Sequence, residues 1–124
     1  MDIHELTEAM HHFVHSQGWY EEGSPRPQTL RNLAISLNLE AGEVLEHFQW
    51  RDDLDNDQAL SDELADVTLY LLQIASIAGI DLEAAVLAKL ERNYGRKWDL
   101  QRKNGGKGAT IGYPQCDRLR RCST

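Results

Sequence analysis

Cysteine is scarce in this 124-residue sequence, and the only two, Cys116 and Cys122, lie near its C-terminal end. A disulfide framework or a cysteine-based catalytic site therefore has little support, and we take both thiols as incidental. Long apolar runs are also missing: no stretch approaches the roughly 18 residues of a membrane span, and no basic and apolar leader opens the chain. These absences predict a cytoplasmic protein with no membrane partner.

Basic residues are nearly absent from most of the chain. Residues 1–88 contain 17 acids and 3 bases, a net charge of −14, whereas residues 89–124 contain 3 acids and 10 bases, a net charge of +7. A nucleic acid polymer requires a continuous basic surface, so the acidic part argues against such a partner. A small phosphate compound bridged by a cation remains compatible with this charge distribution.

Apolar residues recur at helical spacing through most of the chain, which predicts an all-α protein. The first predicted helix covers residues 3–17, with Asp2 and Glu5 as a capping box, and the second runs from Thr29 or Gln28 to about Trp50. The third runs from a cap at Ser61 or Asp57 to Gly79, and the fourth follows a cap at Asp81, with Leu82, Val86 and Leu90 as its inward stripe. From Asn104 onward no helical period survives. We therefore expect one domain over residues 1–103 and a flexible tail over residues 104–124.

Paired acids on the second and third predicted helices are the strongest indication of function. Glu40 and Glu43 are three residues apart, as are Glu63 and Asp66, and this spacing directs both members of a pair toward one side of a helix. Four carboxylates brought together repel one another unless cations neutralise them. An all-oxygen ligand set favours Mg²⁺, with Mn²⁺ as the other candidate, over zinc.

Each acidic pair alone is also typical of a solvated helix face, because glutamate is a strong helix former. The neighbouring apolar residues favour the metal site instead. Glu40 lies at the edge of an apolar arc centred on Leu37, and Glu63 lies within the margin of the apolar arc of its own helix. Carboxylates at the border of a core are costly unless they have partners.

A second apolar face on the second predicted helix indicates self-association. Ile35 and Leu39 lie nearly opposite its main apolar arc, and residues 67–78 of the third predicted helix are apolar almost all round. Helices that are apolar on two sides are usually covered on both. We therefore expect a homodimer or a homotetramer.

Three potential phosphate donors, Lys89, Asn93 and Arg96, follow at positions i, i+4 and i+7 of the fourth predicted helix. Facing an acidic cluster that holds cations, they would suit the oxygens of a phosphate group. A solvated basic helix face is the alternative interpretation.

These motifs together resemble the all-α nucleoside triphosphate pyrophosphohydrolases of the MazG-like superfamily, and within it the dCTP pyrophosphatases. The resemblance covers about residues 5–100. It is carried by Glu40-x-x-Glu43, Glu63-x-x-Asp66 and Lys89-x-x-x-Asn93-x-x-Arg96, together with residues 31–33, 44–46, 48–50, 62–67 and Tyr70. It implies a four-helix (MazG-like) bundle that is completed by oligomerisation.

The resemblance also implies an activity, the Mg-dependent hydrolysis of a nucleoside triphosphate, dCTP or a modified dCTP, to the monophosphate and pyrophosphate. Each site residue then has an expected role. Glu40, Glu43, Glu63 and Asp66 would hold Mg²⁺, Trp19, Trp50 and Tyr70 would contact the base, and Lys89, Asn93 and Arg96 would stabilise the departing pyrophosphate. Glu43 is the preferred general base, with Glu40 as the other candidate. The loop that carries Trp19 is longer than in the vertebrate dCTP enzymes.

Two other classes of protein could use acids on helices. A ferritin-like di-iron protein would need Glu-x-x-His motifs, and no histidine follows Glu40, Glu43 or Glu63 at that spacing. A non-catalytic helical protein that binds a nucleotide or a partner would retain the same acids, so the sequence leaves it open.

Overall fold

Four α-helices make up the part of the chain that the computed structural model describes, residues 1–96. They are α1 (Ile3–Ser16), α2 (Leu30–Glu46), α3 (Asp57–Ile77) and α4 (Leu82–Tyr94). The all-α prediction is confirmed, whereas the predicted boundary at residue 103 and the tail lie outside the described residues. None of the four helices is by itself long and apolar enough to cross a membrane, and only α3 and α4 taken together, as a bent pair, meet those criteria.

The chain divides into two units, Met1–Lys89 and Leu90–Thr124. In the first unit, α2 packs mainly against α3, and α1 also packs against α3. The core between these helices is small, and its buried apolar side chains are Met10, Val14, Leu33, Leu72 and Ala75. In the second unit, the described residues 90–96 comprise the end of α4 and the turn that follows it.

Helices α2 and α3 run in opposite directions. Glu40 and Glu43, late in α2, approach Glu63, early in α3. Asn32, early in α2, lines the same pocket as Gln73, late in α3. The antiparallel arrangement therefore places the acids at one end of this helix pair and the amide side chains of Asn32 and Gln73 at the other.

Side-chain caps fix three of the helix starts as the sequence predicts. Asp2 and Glu5 form a reciprocal capping box at α1, each carboxylate accepting a backbone N–H at 2.8 Å. Thr29 Oγ1 accepts the Asn32 N–H at α2, and Asp81 Oδ1 accepts the Ala84 N–H at α4. These bonds satisfy N–H groups that have no partner inside the helix.

The predicted cap of α3, Ser61 or Asp57, is wrong. Asn56 is the N-cap, and its side-chain oxygen accepts the Ala59 N–H at 3.0 Å. Asp57 is already the first helical residue, where its negative charge interacts favourably with the positive end of the helix dipole. The Ser61 hydroxyl instead donates to the Asp57 carbonyl oxygen, within the first turns of the helix.

Helix α2 ends at Glu46, one turn before the predicted end at Trp50. The Phe48 N–H donates to the Leu45 carbonyl and the Gln49 N–H to the Glu46 carbonyl, so the chain tightens into i→i+3 turns. Trp50 consequently leaves the helix, and 89% of its surface is exposed.

Large apolar side chains remain exposed on several helices. Ile35 and Leu39 are 49% and 63% exposed on the predicted second face of α2. The predicted inward stripe of α4 is wrong for the described residues, because Val86 and Leu90 are each 48% exposed and only Leu82 is half-buried. Periodicity located these apolar faces but could not tell which of them the chain itself covers.

Candidate functional site

Three of the four predicted acids meet between α2 and α3. One carboxylate oxygen from each of Glu40, Glu43 and Glu63 lies within 4.8 Å of the other two. Glu43 is central, because its side chain hydrogen-bonds with both Glu40 and Glu63. Glu40 and Glu63 are half-buried and Glu43 is exposed, so Glu43 is the one of these three acids that water reaches most easily.

Asp66, the fourth predicted acid, lies beside this cluster and is not part of the close group. Its charge nevertheless acts on Glu40 and Glu63 and contributes to raising the pKa of each. Asp66 also lines a pocket of about 600 Å³. It therefore joins the acidic cluster to that pocket.

The acids raise one another's affinity for protons. Burial, the hydrogen bond with Glu43 and the charges of Glu43, Asp66 and Glu63 raise the pKa of Glu40 from 4.5 to about 7. The hydrogen bond with Glu43 is the main cause that raises the pKa of Glu63, and the nearby His47 partly offsets it. An all-oxygen cluster that retains a proton near neutral pH suits a hard divalent cation, which would replace that proton.

This raised pKa predicts how the stability of the metal-free protein changes with pH. Between about pH 4.5 and 7 the folded state holds a proton on Glu40 that the unfolded state has lost, so stability falls as pH rises through this range and levels off above it. Mg²⁺ competes with that proton. We expect Mg²⁺ to raise the melting temperature more at about pH 8 than at about pH 5.

Thermal denaturation in a chelator and in Mg²⁺, repeated across pH, measures both effects. Glu40→Gln is the control, because a glutamine cannot ionise and the variant should lose this part of the pH dependence. A gain in stability with rising pH that Glu40→Gln removes would contradict the prediction.

The pocket beside the cluster has a volume of about 600 Å³ and is walled by α1, residues 19–28, α2 and α3. Of the predicted base-contacting residues, Trp19 and Tyr70 line it and Trp50 does not. Apolar and amide side chains complete the wall, among them Met10, Phe13, Val14, Gln28, Asn32, Leu33, Ile35, Leu69 and Gln73. An apolar pocket with a few polar groups is typical of a small-molecule site.

The ring of Trp19 is held by two neighbours. Phe13 meets it edge to face, with the ring centroids 5.7 Å apart, and the Arg26 guanidinium carbon lies 5.2 Å from its centroid. Arg26 is one of only three basic residues in residues 1–88 and also lines the pocket. The pocket therefore combines an aromatic surface with a positive charge, which suits an anionic aromatic ligand.

Sequence reasoning missed a hydrogen-bonded group that extends from the pocket wall. It consists of His11, Tyr20, Gln28, Gln73 and Ser76. Burial raises the pKa of the Tyr20 hydroxyl, and the hydrogen bond from Gln73 partly offsets this. Gln73 could have been found by extending the Asp66 and Tyr70 stripe by one helical turn, whereas no periodic signal connects Tyr20 to the helices.

The three predicted phosphate donors are only partly arranged as expected. Lys89 and Asn93 lie on α4, but Arg96 lies beyond its last residue, Tyr94, so the predicted i, i+4, i+7 stripe is incomplete. The backbone N–H of Arg96 donates to the Asn93 carbonyl at 3.1 Å, which closes the last turn. A role in binding phosphate stays a prediction for all three residues.

A family model described as the MazG-like family matches residues 35–107, more than half of the chain. The chain belongs to the MazG-like family. The matched segment contains both acidic pairs, Trp50 and Tyr70, so membership rests on the region that forms the acidic cluster. Trp19 lies outside the matched segment.

This MazG-like chain is similar to proteins named dCTP pyrophosphatase 1. It is 33% identical to the Rattus norvegicus protein and 34% identical to the Homo sapiens protein, each over 90 residues that cover 65% of this chain. The chain spans half the length of these curated relatives. A solved structure of a pyrophosphatase from Archaeoglobus fulgidus DSM 4304 is 32% identical, with a TM-score of 0.66, and the match covers 77% of this chain and 92% of that one. The resemblance stated from the sequence motifs is confirmed.

Proposed function

We propose that this MazG-like chain is a nucleoside triphosphate pyrophosphohydrolase that converts a nucleoside triphosphate, dCTP or a modified dCTP, to the monophosphate and pyrophosphate. The observation that carries the proposal is the position of Asp66, which adjoins the acidic cluster and also lines the aromatic pocket. One nucleotide could therefore place its phosphates at the acids and its base in the pocket. The names of the relatives support this choice of substrate class.

The acidic cluster requires a cation before it can accept a triphosphate, because four acids repel a polyanion. Mg²⁺, or Mn²⁺, held by Glu40, Glu43, Glu63 and Asp66 would neutralise the phosphate charge and activate water for attack. Glu43 is exposed and hydrogen-bonds with two other acids, so we assign Glu43 as the general base that accepts a proton from the attacking water. Attack on the α-phosphorus breaks the bond to the β-phosphate, and pyrophosphate leaves in line.

Stacking supplies the binding energy for the base in this proposal. Trp19 and Tyr70 line the pocket, and stacking of a base on an aromatic ring is worth about 1–3 kcal/mol. Arg26, which covers the Trp19 ring, would move onto a phosphate or remain as a charged wall. Trp50, exposed in the single chain, would take part where a second copy brings it to a pocket.

The reaction can be tested by separating the products of dCTP and the other nucleoside triphosphates with Mg²⁺. We expect monophosphate and pyrophosphate in equal amounts and no activity in chelator. Release of orthophosphate would overturn the assignment of the bond that breaks. Binding of the nucleotide without any product would favour the non-catalytic alternative.

Self-association is part of the proposal. Two apolar surfaces support it, Ile35 with Leu39 on α2 and Val86 with Leu87 on α4, whose side chains are 48–63% exposed. Covering such surfaces with a second copy removes apolar area from water, so we expect a homodimer or a homotetramer. Sedimentation at micromolar concentration measures this, and a stable monomer would contradict it.

A further inference from the structure

Gln73 is a buried polar side chain on the wall of the pocket, with 3% of its surface exposed. A buried carboxamide is costly unless its polar atoms find partners. The hydrogen bonds around it form one connected chain that reaches α1, residues 20–28 and α3. These hydrogen bonds determine which atom of the Gln73 amide remains available to a ligand.

The orientation of the amide follows from a backbone carbonyl. The carbonyl oxygen of Arg26 can only accept, so the Gln28 atom 2.8 Å from it is the donor Nε2. Gln28 Oε1 therefore faces Gln73 and must receive a donor. Gln73 Nε2 fills that role at 2.8 Å, which fixes the Gln73 amide without reference to any ligand.

The second hydrogen on Gln73 Nε2 is also used. It is donated to the Tyr20 hydroxyl oxygen at 3.1 Å. The Tyr20 hydroxyl can then donate to His11 Nδ1 at 2.6 Å, and His11 Nε2 lies 2.6 Å from the Ser76 hydroxyl. Both donors of the Gln73 amide are thus engaged within the protein, and Oε1 is the atom that Gln73 can offer to a ligand.

We propose that Gln73 is a specificity-determining residue whose Oε1 accepts a hydrogen bond from the exocyclic amino group of a nucleobase. This inference rests on the proposed function, because it assigns the pocket to the base of the substrate. Cytosine carries an amino group where thymine and uracil carry a carbonyl oxygen. An acceptor facing that carbonyl would leave two buried oxygens unpaired, so the pocket favours amino bases over their oxo counterparts.

The position of Gln73 agrees with this role. Asp66, Tyr70 and Gln73 follow at i, i+4 and i+7 of α3 and all line the pocket. Seven residues of helix separate Asp66 from Gln73 by about 10 Å along the axis. Phosphates at the Asp66 end would leave the base beside Tyr70 and Gln73, where the amide can read its edge.

Substrate discrimination tests the inference. For the unaltered protein we expect two ratios of kcat/KM to be at least about 10. One compares dCTP with dUTP, and the other compares dCTP with the pyrimidin-2-one analogue, which lacks the amino group. Gln73→Leu should lower these ratios by about 10-fold or more. Gln58→Leu, the same change at an exposed position of α3, should leave them unchanged.

Misfolding cannot imitate this result, because structural damage lowers activity on all substrates alike. Equal kcat/KM for dCTP and the pyrimidin-2-one analogue in the unaltered protein would overturn the inference even if Gln73→Leu does not fold. So would retention of the ratios in a folded Gln73→Leu variant, with the proposed function intact. If no nucleotide yields pyrophosphate, the proposed function fails, and calorimetry with dCMP and dUMP then tests the inference about Gln73 alone. Tighter binding of dCMP than of dUMP supports the inference, and equal binding overturns it.

Discussion

Glu43→Gln lowers the rate of pyrophosphate release by at least about 100-fold, the range expected when a general base is lost. Glu43 hydrogen-bonds with both Glu40 and Glu63, so its replacement removes a proton acceptor and a potential cation ligand at the centre of the cluster. Steady-state assays with dCTP and saturating Mg²⁺ measure the loss. Turnover within a few-fold of the unaltered protein would show that Glu43 is neither base nor ligand.

The stability of the variant separates chemistry from folding. Because Glu43 is a like charge beside Glu40 and Glu63, its neutralisation relieves repulsion, and the metal-free variant should melt at the same temperature or higher. Glu8→Gln makes the same substitution at an exposed position of α1, outside the cluster, and should leave turnover unchanged. Loss of activity together with a lower melting temperature would indicate a structural role instead.

Leu72→Ala destabilises the fold by about 2–5 kcal/mol, because it opens a cavity in the core. Leu72 lies on α3 with 2% of its surface exposed, and few other apolar side chains in the described residues are as deeply buried. A loss of this size is a large part of the total stability of about 5–15 kcal/mol that small domains possess. Urea denaturation at one fixed protein concentration measures it, since self-association would add a concentration dependence.

Leu64→Ala is the matched control for this prediction. Leu64 lies on the same helix, but half of its surface is exposed, so its truncation should cost less than about 1 kcal/mol. Equal losses for the two variants would mean that an unseen partner surface covers Leu64. A loss below about 1 kcal/mol for Leu72→Ala would show that the core relaxes around the deletion.

The acidic cluster could be foreseen because its signal is local. Spacing within a helix determines that Glu40 and Glu43 share a side, and the apolar arcs indicate how two helices pack. The same reasoning located the caps at Asp2, Thr29 and Asp81. Each acidic pair and each cap depends on residues a few positions apart.

Features that depend on distant residues could not be foreseen. Tyr20 meets Gln73 across 53 positions, and no pattern in either segment indicates that they are neighbours. The early end of α2 also escaped prediction, because the residues before Trp50 favour a helix and only the i→i+3 turns at Phe48 and Gln49 terminate it. The apolar face of α4 that contains Val86 was predicted to be buried, but Val86 is exposed. Periodicity shows that a helix face is apolar and does not show whether the same chain covers it.

Residues 20–28, which connect α1 to α2 and form part of the pocket wall, are held in place by the protein itself. Tyr20 and Gln28 tie residues 20–28 to α3, and Pro25 and Pro27 restrict the backbone between them. The cost in chain entropy of ordering this wall is therefore met during folding and not on ligand capture. Such a preorganised pocket gains affinity from its rigidity. Changes that make residues 20–28 more flexible should therefore lower the affinity for the nucleotide before they lower the rate of reaction at the acidic cluster.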